Sequence, residues 1–164
     1  MKKNIDEIEA IELGIVIEEE GGKFYSAYAQ KEENFETREV FLKLAHDEEE
    51  HIKILEKLHV EVCGNKLCTY EDKYMISDLL KEVKENGIFS QKGKVGQVIG
   101  KVGTSQEALQ VGIEAEKQGV DFYAKLAKKV NTPSTAKVFN SLAEIEKGHL
   151  KILKERLANL EFAG

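Results

Sequence analysis

Shifted by 98 residues, the sequence matches itself. Residues 10–58 fall on residues 108–156 without a gap, and 19 of the 49 paired positions are identical. A duplication of this kind reads as two copies of one supersecondary unit. AIELGIVIEEEGGKFYSAYAQK lies over ALQVGIEAEKQGVDFYAKLAKK, and VFLKLAHDEEEHIKIL over VFNSLAEIEKGHLKIL. Each copy holds two long stretches of helical periodicity around a short polar break (KEENFET; KKVNTPST). Each is therefore expected to be an αα-hairpin. Two hairpins make an all-α four-helix bundle, with helices over about 5–31, 36–61, 105–130 and 133–160. At 164 residues the chain suits a single domain. Hairpin 1 spans about 5–61, a crossover about 62–104, and hairpin 2 about 105–160.

The helix ends carry their own signals. Asn4–Glu7 and Thr104–Glu107 have capping-box spacing ahead of apolar-periodic runs. Thr132 is placed to cap the last helix, with Pro133 in its first turn. In the crossover, TYEDKYMISDLLKEVKENG reads as a short amphipathic helix. Thr69 starts it, Ile76, Leu79, Leu80 and Val83 form its apolar face, and Asn86-Gly87 stop it. The remainder, FSQKGKVGQVIGKVGTS, has no strong period and reads as a loop or a lid, with room for a strand-like piece. So long a connection excludes a simple up-down-up-down bundle.

At 100° per residue, Gly14, Glu18, Gly21 and Tyr25 share a stripe about 60° wide. Gly112, Glu116, Gly119 and Tyr123 repeat it. In the second helix of each copy, Phe41, Leu44, Glu48, His51 and Leu55 share one face, as do Phe139, Leu142, Glu146, His149 and Leu153. The apolar members mark these as core faces. Glu18, Glu48, Glu116, Glu146, His51 and His149 are thus expected inside, and Glu19 and Glu20 outside as solvated charges.

Buried carboxylates cost several kcal/mol each unless something offsets them. No Lys or Arg stands level with these glutamates on the inward faces. Two divalent cations would balance four carboxylates and two neutral histidines. The glycines beside Glu18 and Glu116 would leave room for the metals or a small oxidant. A lone E-x-x-H is weak evidence, since about one residue in seven is Glu. Glu56–His59 has that spacing too, but Ser26 stands 30 residues upstream and its repeat partners are Lys154 and Leu157. Glu48–His51 and Glu146–His149 each have a Glu 30 residues before their own Glu, a Tyr seven residues after that upstream Glu, and a partner 98 residues away. Tyr25 and Tyr123 are either ordinary core aromatics or donors to the metal-bound carboxylates. His46, opposite Glu144 in the repeat, reads as a surface residue or one just outside the ligands.

Other classes are disfavoured. A net charge of −6 argues against a nucleic-acid partner. The apolar run near the start is broken by Glu12 and Glu18, against a membrane span or signal peptide, and the cytoplasm is the expected location. Cys63 and Cys68 read as two ordinary thiols near a helix end.

Glu18, Glu48-x-x-His51, Glu116 and Glu146-x-x-His149 resemble the di-iron carboxylate pattern of the ferritin-like superfamily. The E-x6-Y stretches ending in Phe24-Tyr25 and Phe122-Tyr123 resemble its rubrerythrin-like branch. The resemblance covers both hairpins, and it implies a ferritin-like bundle holding two iron ions, or manganese. It implies that Glu48 and Glu146 bridge the metals, that Glu18 and Glu116 are terminal, and that His51 and His149 bind one metal each. Two features depart from the family. Gly119 stands where rubrerythrins carry a further ligand-capable Glu, which puts that family's peroxide-specific iron movement in doubt. No rubredoxin domain is present, so electrons would come from a separate, rubredoxin-like donor protein.

The expected activity is reduction of hydrogen peroxide or O2, with two metals orienting the O–O bond. Ferroxidation or iron storage is the alternative. Oxidation of an organic substrate and a helical module with a structural metal are further readings. A homodimer is the expected assembly on general grounds.

Overall fold

The computed structural model describes residues 6–64 and 78–163. Helix α1 (Glu7–Lys31) begins at Asp6, whose carboxylate accepts from the N–H groups of Ile8 at 2.9 Å and Glu9 at 3.3 Å. Asp6, not Asn4, is therefore the cap, and Asn4 lies outside the described residues. Helix α2 (Phe35–Cys63) is capped by Asn34 through the N–H of Thr37 at 2.9 Å. In the second copy, α5 (Ser105–Lys129) is capped by Thr104 through the N–H of Glu107 at 3.1 Å, while Glu107 accepts from Gly103 N–H. Helix α6 (Pro133–Ala163) has its proline in the first turn, where a missing N–H costs nothing.

Each copy is an αα-hairpin: α1 packs along α2 and α5 along α6. The hairpins meet through α2 and α6, whereas α1 and α5 touch less. The crossover fills the groove that this leaves. Its first helix, α3 (Asp78–Asn86), buries Leu79 and Leu80 and ends at Asn86, and the expected start at Thr69 lies outside the described residues. The sequence of the following segment suggests a loop or a lid with room for a strand-like piece. It contains instead a helix, α4 (Lys94–Lys101), and the described residues hold no strand. Val95, Val98, Ile99 and Val102 have the i, i+3, i+4, i+7 spacing of an apolar helix face, diluted in the sequence by Gly96 and Gly100.

Two side chains of the bundle pin this strap. Gly93, at a φ of 82°, is the N-cap of α4 and has no side chain with which to cap. Glu20 supplies the acceptor from α1, taking the N–H of Val95 at 3.3 Å while Lys23 pairs with its other oxygen at 3.0 Å. Glu20 is fully buried, which corrects its reading as a solvated charge: the groove side of α1 is covered by the strap. At the repeat-equivalent position on α5, Gln118 accepts from Ile88 N–H at 2.9 Å. Tyr28 adds a third tie, donating to the carbonyls of Ile99 and Val102.

The core is two apolar clusters, one towards each end of the bundle. One gathers Ile11, Leu55, Tyr123, Leu126, Phe139 and Leu142. The other gathers their repeat counterparts Leu109, Leu153, Tyr25, Phe41 and Leu44, together with Phe24 and Phe89. Start of α1, end of α2, end of α5 and start of α6 share a cluster, so neighbouring helices run antiparallel. The repeats are related by an approximate two-fold, and the midpoint of the bundle separates the clusters.

Candidate metal centre

At that midpoint lie Glu18, Glu48, Glu116, Glu146, His51 and His149, none more than 4% exposed. α1 and α5 supply one glutamate each, and α2 and α6 supply one glutamate and one histidine each. The spacing of three residues stacks each Glu–His pair on one face of its helix. Their donor atoms form two groups, within each of which all lie within 4.8 Å of one another. One is Glu18, Glu48, His51 and Glu146, and the other is Glu48, Glu116, Glu146 and His149. Glu48 and Glu146 belong to both.

The histidines turn Nδ1 to the carboxylates. His51 Nδ1 lies 3.2 Å from Glu146, 3.3 Å from Glu18 and 3.6 Å from Glu48. His149 Nδ1 lies 3.2 Å from Glu146, 3.7 Å from Glu116 and 3.9 Å from Glu48. The rings stack at 5.3 Å between centroids. Burial opposes a charge on His51, yet Glu146 and Glu18 outweigh it and push its pKa up to about 10. Glu116 and Glu146 do the same for His149, against the same burial, also to about 10. Burial, reinforced by Glu146, raises Glu116 well above the usual carboxylate range. In the metal-free cluster the imidazoles are thus charged, a compensation that the reading with neutral histidines left out.

The tyrosines cross between repeats. Tyr25 O–H donates to Glu116 at 2.7 Å, and Tyr123 O–H donates to Glu18. Burial raises both phenols, with Glu116 adding to Tyr25 and Glu18 to Tyr123, so both stay protonated donors. This geometry divides the four glycines into two pairs. A Cβ on Gly14 would press on Leu55 at 3.2 Å and the Tyr123 hydroxyl at 3.3 Å. One on Gly112 would meet Leu153 and Tyr25 in the same way. These two make room for the tyrosines and not for a metal or oxidant. Gly21 and Gly119 line a cavity with about 20 Å³ of free space beside Glu18, Glu48, Glu116 and Glu146.

The donor set fits a pair of divalent cations. Four buried carboxylates converge, their ion-pair partners within the cluster are the two histidines alone, and all six side chains offer oxygen or imidazole nitrogen. A family model described as Rubrerythrin matches residues 9–85 and 107–163. The chain belongs to the rubrerythrin family. A solved structure of a hypothetical protein from Pyrococcus furiosus shares the fold, with a TM-score of 0.66 and 19% identity over 94% of this chain and 92% of that one. No curated protein matches the chain significantly.

Three features of this rubrerythrin-family bundle escaped the sequence reading. Asp47 accepts a hydrogen bond from His149 Nε2 at 3.1 Å and is also paired with Lys43. Its repeat counterpart is Ile145, so His51 gains no such carboxylate from the duplication. The paired pins at positions 20 and 118 and the ring of Phe89 were not singled out either. His46 is exposed, and His59 pairs with Glu12 at 3.3 Å, away from the cluster. Cys63 is disulfide-bonded, not a free thiol, and Cys68 lies outside the described residues. No helix among the described residues is long and apolar enough to cross a membrane.

Proposed function

We propose that the chain holds two iron ions, or manganese in their place, and reduces hydrogen peroxide or O2. The observation that supports this most is the sharing of Glu48 and Glu146 by two donor groups that each add a glutamate and a histidine of their own. In this reading Glu48 and Glu146 would be shared between the ions, with Glu18 and His51 completing one donor group and Glu116 and His149 the other. A ferrous pair would supply two electrons, one from each ion, the number that cleaves one O–O bond.

The chain's own residues do the rest. Tyr123 and Tyr25 each donate to one terminal glutamate, Glu18 and Glu116, and would hold its carboxylate in place as a ligand. His51 and His149 release their protons as they become ligands. Gly21 and Gly119 keep space open beside the bridging carboxylates for a small oxidant. A separate, rubredoxin-like protein would return the electrons. The setting is cytoplasmic, the assembly a homodimer, and neither nucleic acid nor membrane is a partner.

The test is anaerobic loading of the metal-free protein with Fe(II), followed by one equivalent of peroxide or of O2 under near-ultraviolet absorbance. Uptake of about two irons per chain and faster oxidation by peroxide are the expected results. Faster oxidation by O2 would favour ferroxidase or oxygenase chemistry, and fewer than about one iron per chain with no absorbance change would sink the di-iron reading.

A further inference from the structure

We infer that Phe89, carried on the crossover, is the specificity-determining residue that limits the metal pair to small oxidants. The inference rests on the metal reading above and concerns what can reach that site. The α1–α5 side of the bundle is where the helices touch least, so it is the side on which the cluster is least covered by helix. The strap closes it. Phe89 is only 4% exposed and packs on Phe24 at 5.2 Å between centroids. A Cβ on Gly21 would lie 3.7 Å from the Phe89 ring.

The ring stands between two small spaces. The inner one, about 20 Å³, touches the four glutamates. The outer one, also about 20 Å³, lies under the strap against Val83, Gly87, Ser90 and Gln118. Ile17, Phe89, Ala115 and Gly119 line both. A space of this size holds about one water-sized molecule. Peroxide and O2 are of that order, whereas an aromatic or branched organic substrate is not.

The position of Phe89 is held from both repeats. Gln118 on α5 fixes Ile88, immediately before it, and Glu20 on α1 fixes Val95, after it. Ser90, immediately after it, donates to the carbonyls of Lys84 and Gly87. Positions 20 and 118 each lie two residues after an inward glutamate of the cluster. The same helical turn therefore aims one side chain at the site and another at its cover.

The experiment uses the full chain loaded with Co(II), whose visible spectrum reports an added ligand at the metal. Azide serves as the small probe and benzoate as the bulky one. In the unsubstituted protein azide should perturb the spectrum and benzoate should not. In Phe89→Ala benzoate should bind. Gly119→Ala narrows the same space from the opposite wall and should weaken azide binding about tenfold. Benzoate binding equally well with and without Phe89 overturns the inference while leaving the metal reading intact. Failure to take up Co(II) overturns both. If Phe89→Ala does not fold, Gly119→Ala decides, and unchanged azide affinity overturns the inference.

Discussion

Asp47 breaks the symmetry of a site that is otherwise paired residue for residue. It holds the far nitrogen of His149, and the duplication puts Ile145 where a matching carboxylate would stand. A carboxylate on the far nitrogen fixes ring orientation and raises ligand basicity, and its loss typically weakens metal binding about 10–100-fold. Asp47→Ala should therefore weaken one phase of an anaerobic Co(II) titration by that factor and leave the other phase in place. Equal weakening of both would show that Asp47 acts on the fold at large. The histidines give a second prediction. Both are protonated at pH 7 in the metal-free protein, with pKa values near 10, and both must be neutral as ligands. Metal uptake at pH 7 should thus release about two protons from the imidazoles, and affinity should rise with pH towards 10. Calorimetry in buffers of different ionisation enthalpy reads the proton count. The inward placement of the six cluster residues was legible because helical periodicity reports which face a residue shares with its apolar neighbours. Asp47 and Glu20 were not legible. Each lies off that face, and its partner comes from an element whose position the local sequence does not encode.

At the scale of elements, the glycines divide by what stands opposite them. Gly14→Ala or Gly112→Ala should cost about 1–3 kcal/mol, because the new methyl meets a buried tyrosine hydroxyl and a leucine at 3.2–3.3 Å. Gly21→Ala and Gly119→Ala meet their neighbours at 3.5–3.8 Å and should be neutral or gain up to about 1 kcal/mol of helix propensity. Urea denaturation of the four metal-free variants separates these outcomes, and the same cost at all four positions would contradict the division. The four long helices were readable from the repeat, their periods and the Thr104 and Thr132-Pro133 signals. Helix α4 was not read. Its stripe of Val95, Val98, Ile99 and Val102 is short, two glycines dilute it, and its first turn is capped by a residue 75 positions away.

At the scale of the whole molecule, the cluster couples folding to protonation. The imidazoles have folded pKa values near 10 against an ordinary 6.5. Their stabilising contribution is therefore fully present below about 6.5 and lost as pH rises through about 10. Glu116, raised by burial and by Glu146, acts in the same direction, because its charged form is the costly one. The melting temperature of the metal-free protein should fall as pH rises across that window. Metal should raise the melting temperature and flatten this dependence, since ligands without protons no longer titrate. A metal-free protein that gains stability towards pH 10 would contradict the account.

Two ions at the meeting point of the repeats would be directly visible by X-ray diffraction. The most direct measurement is anomalous scattering at the metal edge from crystals grown anaerobically with Fe(II) or Mn(II). Two peaks per chain are expected, both between Glu48 and Glu146, one beside Glu18 and His51 and the other beside Glu116 and His149. A single peak, peaks outside this cluster, or none would contradict the two-ion reading.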